Sequence, residues 1–194
     1  MSHRIARLTL GQSGPGFFGA RAFPGVAQPG LTDWNTHDYF EFAFCFQGKG
    51  RYKTLKRKWR FKSGSVIVTN AGEAHCFELE DRVEVYYLQF NKSFTRDVLG
   101  QPPRDAGPAL FLNDFAEDRF GGCRVIAFSP DEAVDLKRLF ESLCRESKLR
   151  PVVFVGLRRA RVVELIVNCF RGATAPPAAA LRKSHSELAL DRAL

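Results

Sequence analysis

The sequence predicts a mainly β protein with an α-helical C-terminal part: a sandwich or barrel of short strands followed by an antiparallel helix pair. Three observations carry this. Between Tyr39 and Phe90, short aromatic and β-branched runs alternate with turn residues, the spacing of a β-sandwich or barrel. After Ser129 the apolar positions recur every three or four residues, the helical period. At 194 residues, the chain has the length of one domain, or of one domain with a short appendage. We expect residues 1–122 to form the barrel, 123–172 the helix pair, and 173–194 a linker with a further helix start.

Arg4 to Gly30 contains apolar stretches broken by glycines and prolines, which predicts brief strands joined by turns. Tyr39–Gln47 reads as a strand with Phe40, Phe42, Phe44 and Phe46 on one side and Tyr39, Glu41, Ala43 and Cys45 on the other. Four phenylalanines are not left in water and the opposite row is mixed, so both faces are expected to be covered. Gln47-Gly48-Lys49-Gly50 is a turn, and Gly50–Leu55 and Lys58–Phe61 form a hairpin around Lys56-Arg57. After the turn Lys62-Ser63-Gly64, Ser65–Thr69 is a β-branched strand. Asn70-Ala71-Gly72-Glu73 turns the chain into two more strands, His75–Glu80 and Glu84–Phe90. Lys92 to Gly122 is a weakly patterned connection.

Ser129-Pro130-Asp131-Glu132 places Ser at an N-cap, Pro at the first helical position and Glu three residues after the cap, a capping box. The helix it opens aligns Ala133, Leu136, Phe140 and Leu143 on one face. A second helix is expected from Pro151 to about Phe170, with Gly172 near its end. Its apolar residues spread over more than half its circumference, so one side is expected to cover the barrel. The other is expected to meet a partner chain, unless the preceding helix covers it. Ala173–Ala180 reads as a linker with an extended Pro-Pro element, and Ser184–Leu194 as the start of an amphipathic helix.

The net charge of +8 has a single source. Eight of the 29 Lys and Arg lie between Lys49 and Lys62 with no acid among them, and the remaining 21 match the 21 Asp and Glu. Such a patch attracts nucleic acid or an acidic partner. The alternation Lys58-Trp59-Arg60-Phe61-Lys62 equally suits a solvated hairpin whose cations guard a strand edge. No apolar run approaches the ~18 residues of a membrane span, and Met1-Ser2-His3-Arg4 opens no secretory signal. Five cysteines without CxxC spacing point to reduced thiols, and a cytoplasmic location is expected. Neither a GxSxG nucleophile elbow nor a phosphate-binding glycine loop ahead of a helix is present.

Of the four histidines, two lie in the strand region. His37 and Glu41, read as one strand, project to the same face, and His75 follows the Asn70-Ala71-Gly72 turn. Two imidazoles and a carboxylate converging inside a barrel would suit Zn, Fe, Ni or Mn. Cys45 shares the parity of His37 and Glu41, as a fourth soft ligand, a redox-sensitive thiol or a packed small residue.

Asn35-Thr36-His37-Asp38-Tyr39-Phe40-Glu41 followed by Gly48 resembles the first cupin motif, and Gly64-x5-Asn70-Ala71-Gly72-x2-His75 resembles the second. The resemblance implies a jelly-roll barrel whose metal ligands fall on Asn35, His37, Glu41 and His75. Asn35 stands where cupins have their first histidine. That leaves either a three-ligand site of His37, Glu41 and His75 or a site holding an organic ligand by hydrogen bonds. The order His-Asp-Tyr-Phe-Glu, Gly-Lys-Gly, Ser-Gly-Ser-Val, Gly-Glu-Ala-His and Leu-Gln-Phe, then a helix pair and a linker, is similar to the N-terminal domain of AraC/XylS-type transcription regulators. This implies a cupin barrel that binds a small-molecule effector through His37, Tyr39, Glu41, Cys45 and His75. It also implies a homodimer through helices 130–170, and DNA contact only through a C-terminal helix-turn-helix reader absent from these residues. The other reading is a metal-dependent cupin enzyme, a dioxygenase or isomerase, using His37, Glu41 and His75. Our expectation is the sensing domain, not an enzyme, with a divalent ion as the one candidate cofactor and no membrane partner.

Overall fold

A computed structural model describes residues 6–8, 20–91, 94, 125–148 and 155–174. Among them the chain forms β1 (Ala6–Leu8), β2 (Ala20–Ala27), β3 (Gly30–Leu31), β4 (Asn35–His37), β5 (Phe40–Gln47) and β6 (Lys49–Thr54). It continues with β7 (Lys58–Lys62), β8 (Ser65–Thr69), β9 (His75–Leu79), β10 (Val83–Phe90) and β11 (Val125–Ala127), then helices α1 (Pro130–Lys148) and α2 (Val155–Thr174). One sheet has the order β1-β4-β9-β6-β7, with β3 also on β9, and the other has the order β11-β8-β5-β10-β2. Pairing is antiparallel except between β1 and β4. The expected connection over 92–122, most of the linker and the helix start at 184–194 lie outside the described residues, Phe94, Ala173 and Thr174 apart. No helix among the described residues is long and apolar enough to cross a membrane.

The two sheets close on a shared interior. Ala43, Cys45, Ile67, Val83 and Val85 from one meet Tyr52, Phe61 and Leu79 from the other. The opposite side of the five-stranded sheet carries Phe40, Phe42, Phe44, Val66, Val68, Leu88 and Phe90. It packs against Leu136, Phe140 and Leu143 of α1 and Val162, Leu165 and Ile166 of α2. β5 is therefore buried on both faces, as its two rows of residues predict. This is a jelly-roll barrel with two helices laid on one sheet. At the β5–β6 turn, Gly48 sits at φ +96, and a Cβ there would meet the Arg82 carbonyl oxygen at 2.5 Å. Only glycine fits.

The basic segment is a hairpin, with Tyr52 and Phe61 buried. Its register sets Lys49 opposite Lys62, Arg51 opposite Arg60, and Lys53 opposite Lys58. Like charges directly across a sheet repel, and acids of β9 and the turn after it relieve one side. Lys53 reaches Glu78 at 2.6 Å, Arg51 reaches Glu78 at 3.5 Å and Glu80 at 3.9 Å, and Lys49 reaches Asp81 at 4.0 Å.

Two expectations need correction. His37 and Glu41 are not on one strand: β4 ends at His37, and Asp38-Tyr39 bends the chain across to the other sheet before β5 begins. The bend is closed by His37 Nδ1, 2.7 Å from the Tyr39 carbonyl oxygen. The second helix also does not stop near Phe170 but runs through Gly172 to Thr174. Gly172 is there for clearance: a Cβ would come 2.7 Å from the Phe128 ring and 2.9 Å from Ile126. The capping box forms as read. Ser129 N donates to Glu132 Oε2 at 2.8 Å, and Glu132 N donates to Ser129 Oγ at 3.4 Å. α1 and β11 cover part of the apolar circumference of α2, while Leu157 stays 44% exposed.

Candidate functional site

The end of β4, the start of β9 and the start of β5 meet at one end of the barrel. They bring His37, His75 and Glu41 together, all buried, with one ligating atom of each within 4.8 Å of the others. The two histidines belong to one sheet and Glu41 faces them from the other, so the cluster exists only because the sheets close on each other.

Hydrogen bonds orient both imidazoles alike. The Tyr39 carbonyl can only accept, so His37 Nδ1 carries the proton and Nε2 keeps its lone pair. His75 Nδ1 likewise lies 3.0 Å from the Glu73 carbonyl oxygen, which leaves its Nε2 lone pair available. Backbone carbonyls fix the tautomer of metal-ligating histidines in this way. Among the described residues, His37 Nε2 is buried with no hydrogen-bond partner, an arrangement that costs about 1–3 kcal/mol unless something occupies it. Burial, and secondarily the neighbouring His75, pushes the pKa of His37 down to about 4; burial lowers that of His75. Both rings are therefore neutral at pH 7, as metal coordination requires.

Glu41 is held by a residue that the sequence reading missed. Gln89 Nε2 donates to Glu41 Oε2 at 2.6 Å and to the Tyr39 hydroxyl at 3.2 Å, while Arg21 Nε donates to Gln89 Oε1 at 2.7 Å. Register explains the relay, since Gln89 lies opposite Glu41 on one side and Arg21 on the other. The sequence signal was the inward row Val85, Tyr87, Gln89, where an amide breaks an apolar alternation. Burial lifts the Glu41 carboxyl to about 7.

Tyr39 stacks on His37 with ring centroids 4.0 Å apart. Cys45 lies four residues beyond Glu41, about 13 Å along the strand at roughly 3.3 Å per residue. Its thiol points at the Gln47 and Gly48 carbonyls at 3.4 and 3.6 Å. Asn35 pairs with His75 in register, but its side chain turns outward to the Asp33 carbonyl at 3.5 Å. The donor set is thus two neutral imidazoles and one carboxylate, with an orphaned nitrogen aimed into it. That set fits a divalent first-row metal ion. Among the described residues, a cavity of about 40 Å³ lies in the barrel beside Ala43, Ile67 and Tyr87.

A double-sheet barrel with a His-Glu-His cluster at one end and helices on the back of one sheet defines a cupin domain. The model of the AraC-like ligand binding domain matches residues 26–190, and the chain belongs to that family. No curated protein matches it. Among solved structures, the EutQ protein of Clostridium difficile is 18% identical with a TM-score of 0.35, covering 37% of this chain and 56% of that one. A predicted oxalate decarboxylase of Thermotoga maritima is 23% identical with a TM-score of 0.35, covering 38% and 68%. A Cupin 2 conserved barrel domain protein of Salinispora arenicola is 15% identical with a TM-score of 0.36, covering 39% and 66%. The chain spans little more than half the length of the EutQ protein.

Proposed function

We propose that the chain is the small-molecule-sensing and dimerisation part of an AraC-type transcription regulator, with His37, Glu41 and His75 holding a divalent metal ion at its sensory centre. The observation that carries this is the buried, unpartnered His37 Nε2, facing a second imidazole and a carboxylate in an AraC-like ligand binding domain. When bound, the ion would supply a Lewis-acidic anchor and rigidify the junction of β4, β5 and β9. Tyr39 and Gln89 hold the ligand side chains in place. An effector acts only as far as it binds two states of the domain differently, and the helices on the back of β5 place such a change next to the proposed dimer surface. In this reading, helices 130–170 pair two copies and a C-terminal reader contacts DNA. Val134, 49% exposed, and Leu157 are apolar surface available for pairing.

The test is metal analysis and calorimetry on protein purified without chelator. One divalent ion per chain is expected in the wild type and none in His37→Ala or His75→Ala, each of which keeps the wild-type circular dichroism. Equal metal content in all three proteins would sink the assignment, and a monomer mass at micromolar concentration would sink the dimer. The second reading is a metal-dependent cupin enzyme using the same three residues. Three protein ligands leave coordination positions open, as catalysis needs, whereas the match to an AraC-like ligand binding domain favours the sensing reading. Stoichiometric iron or manganese together with turnover would establish it.

A further inference from the structure

The whole excess of positive charge lies between Lys49 and Lys62, and folding sorts its strand cations into two rows. β6 and β7 set Lys49, Arg51 and Lys53 directly opposite Lys62, Arg60 and Lys58, so all six stand on the outer face of the sheet. Tyr52 and Phe61, of the other parity, fill the barrel. We propose that the row on β7 (Lys58, Arg60 and Lys62) is a docking surface for the phosphate backbone of a double-stranded nucleic acid. This contact is separate from the C-terminal reader of the sensing reading above.

The two rows differ in what neutralises them. The β6 row is answered from within the molecule, by Glu78, Glu80 and Asp81 at 2.6 to 4.0 Å. The β7 row is not. Lys58, Arg60 and Lys62 are exposed, β7 is the last strand in the order of its sheet, and among the described residues no acid pairs with any of the three. Cations held directly across from cations destabilise the folded hairpin, and a bound polyanion removes that repulsion. Guarding a strand edge calls for cations on the edge. It gives no reason for a second row facing them, nor for the lack of any acid between Lys49 and Lys62.

The form of the row argues for a duplex. Side chains on one face of a strand recur at every second residue, so the row spans about 13 Å at roughly 3.3 Å per residue. Over that length a duplex, with one negative charge per ~1.7 Å of axis, presents about eight charges. Single strands bind by stacking their bases on aromatic side chains, and the aromatics of this hairpin turn inward. Tyr52 and Phe61 are buried, and Trp59 packs on Tyr52 with ring centroids 5.7 Å apart. Every outward position paired between the two strands is a cation, which leaves no apolar or aromatic anchor of the kind protein partners use. Contacts to phosphate alone carry no base information, so the docking is independent of sequence.

The test is fluorescence anisotropy of a short labelled DNA duplex of mixed sequence, titrated with the chain over a range of salt concentrations. Each neutralised phosphate adds about −0.9 to the slope of log affinity against log salt. Three therefore supply about −2.7, or about fortyfold in affinity for a fourfold rise in salt. Lys58→Gln, Arg60→Gln and Lys62→Gln together should remove that part of the slope, and Arg60→Gln alone about a third of it. Lys49→Gln, Arg51→Gln and Lys53→Gln remove the same charge from the β6 row. They should change the slope less than half as much, because acids already hold those cations. Equal slopes for the two triple variants overturn the assignment to β7 in favour of net charge alone. Absence of salt-dependent binding by the wild type overturns it outright. Tighter binding of a single strand, or of polyglutamate at matched charge, overturns the duplex in favour of that partner. The sensing reading stands or falls separately, on its metal content.

Discussion

The two faces of β5 look into different interiors. Phe40, Phe42 and Phe44 lie on the helix side, where Phe44 stacks on Phe140 at 5.5 Å and Phe40 on Phe90 at 5.6 Å. Glu41, Ala43 and Cys45 lie on the barrel side, equally buried. The helix side is apolar and large, so it contributes stability through area and close packing. The barrel side of β5 is small in the middle and titratable at one end, so β5 itself contributes less there, although the barrel interior is apolar too. One strand thus separates a wholly apolar layer from a layer that ends in titratable groups.

The most direct attempt to break this contrast is truncation on each face. Phe44→Ala should cost about 3–5 kcal/mol of unfolding free energy, the usual loss for a buried phenylalanine. Cys45→Ala, one residue along and just as buried, should cost about 1 kcal/mol. Urea denaturation compares them, and similar losses would mean that the barrel face supports the fold as much as the helix face does. The next largest effect is confined to the barrel face. The Glu41 carboxyl sits at about 7 rather than 4.5, and at 1.36 kcal/mol per unit that is about 3 kcal/mol. Because the folded pKa is raised, the penalty is absent below pH 4.5, grows as pH rises, and is complete above pH 7. His37, with its pKa lowered to about 4, runs the other way: its penalty grows as pH falls below 6.5. In chelator-treated protein, Glu41→Gln should therefore match the wild type near pH 4 and exceed it by about 3 kcal/mol at pH 8. A difference independent of pH would show that the carboxyl is not desolvated.

The helix-side face was legible in the sequence and the barrel side only partly, for a physical reason. Side-chain parity needs only the period of a strand, so the row of phenylalanines identified a doubly covered β5. The capping box at Ser129 needs only four consecutive residues. His37, Glu41 and His75 were legible through motif spacing. Parity, however, assumed one strand where the chain bends at Asp38-Tyr39 and changes sheets. The same parity gave Cys45 the right face while saying nothing of its distance from Glu41. Gln89 and Arg21 join the site through cross-strand register, which no single segment encodes.

The smallest expected effect tests the junction where α2 meets the barrel. In an exposed helix, replacing glycine with alanine gains about 1 kcal/mol, because alanine has less backbone entropy to lose. At Gly172 the sign should reverse. The added methyl would stand 2.7 Å from the Phe128 ring and 2.9 Å from Ile126, on the segment that leads β11 into α1. Forcing a methylene into a packed site costs about 1–3 kcal/mol. Set against the helix gain, Gly172→Ala should be destabilising by about 1 kcal/mol, whereas Gly156→Ala should be neutral or stabilising, since none of the described residues comes within 4 Å of its added Cβ. Thermal denaturation of the two variants decides it. If both stabilise, α2 does not rest on β11 as closely as this, and its coupling to the sheet that carries Glu41 is looser than the layered fold implies.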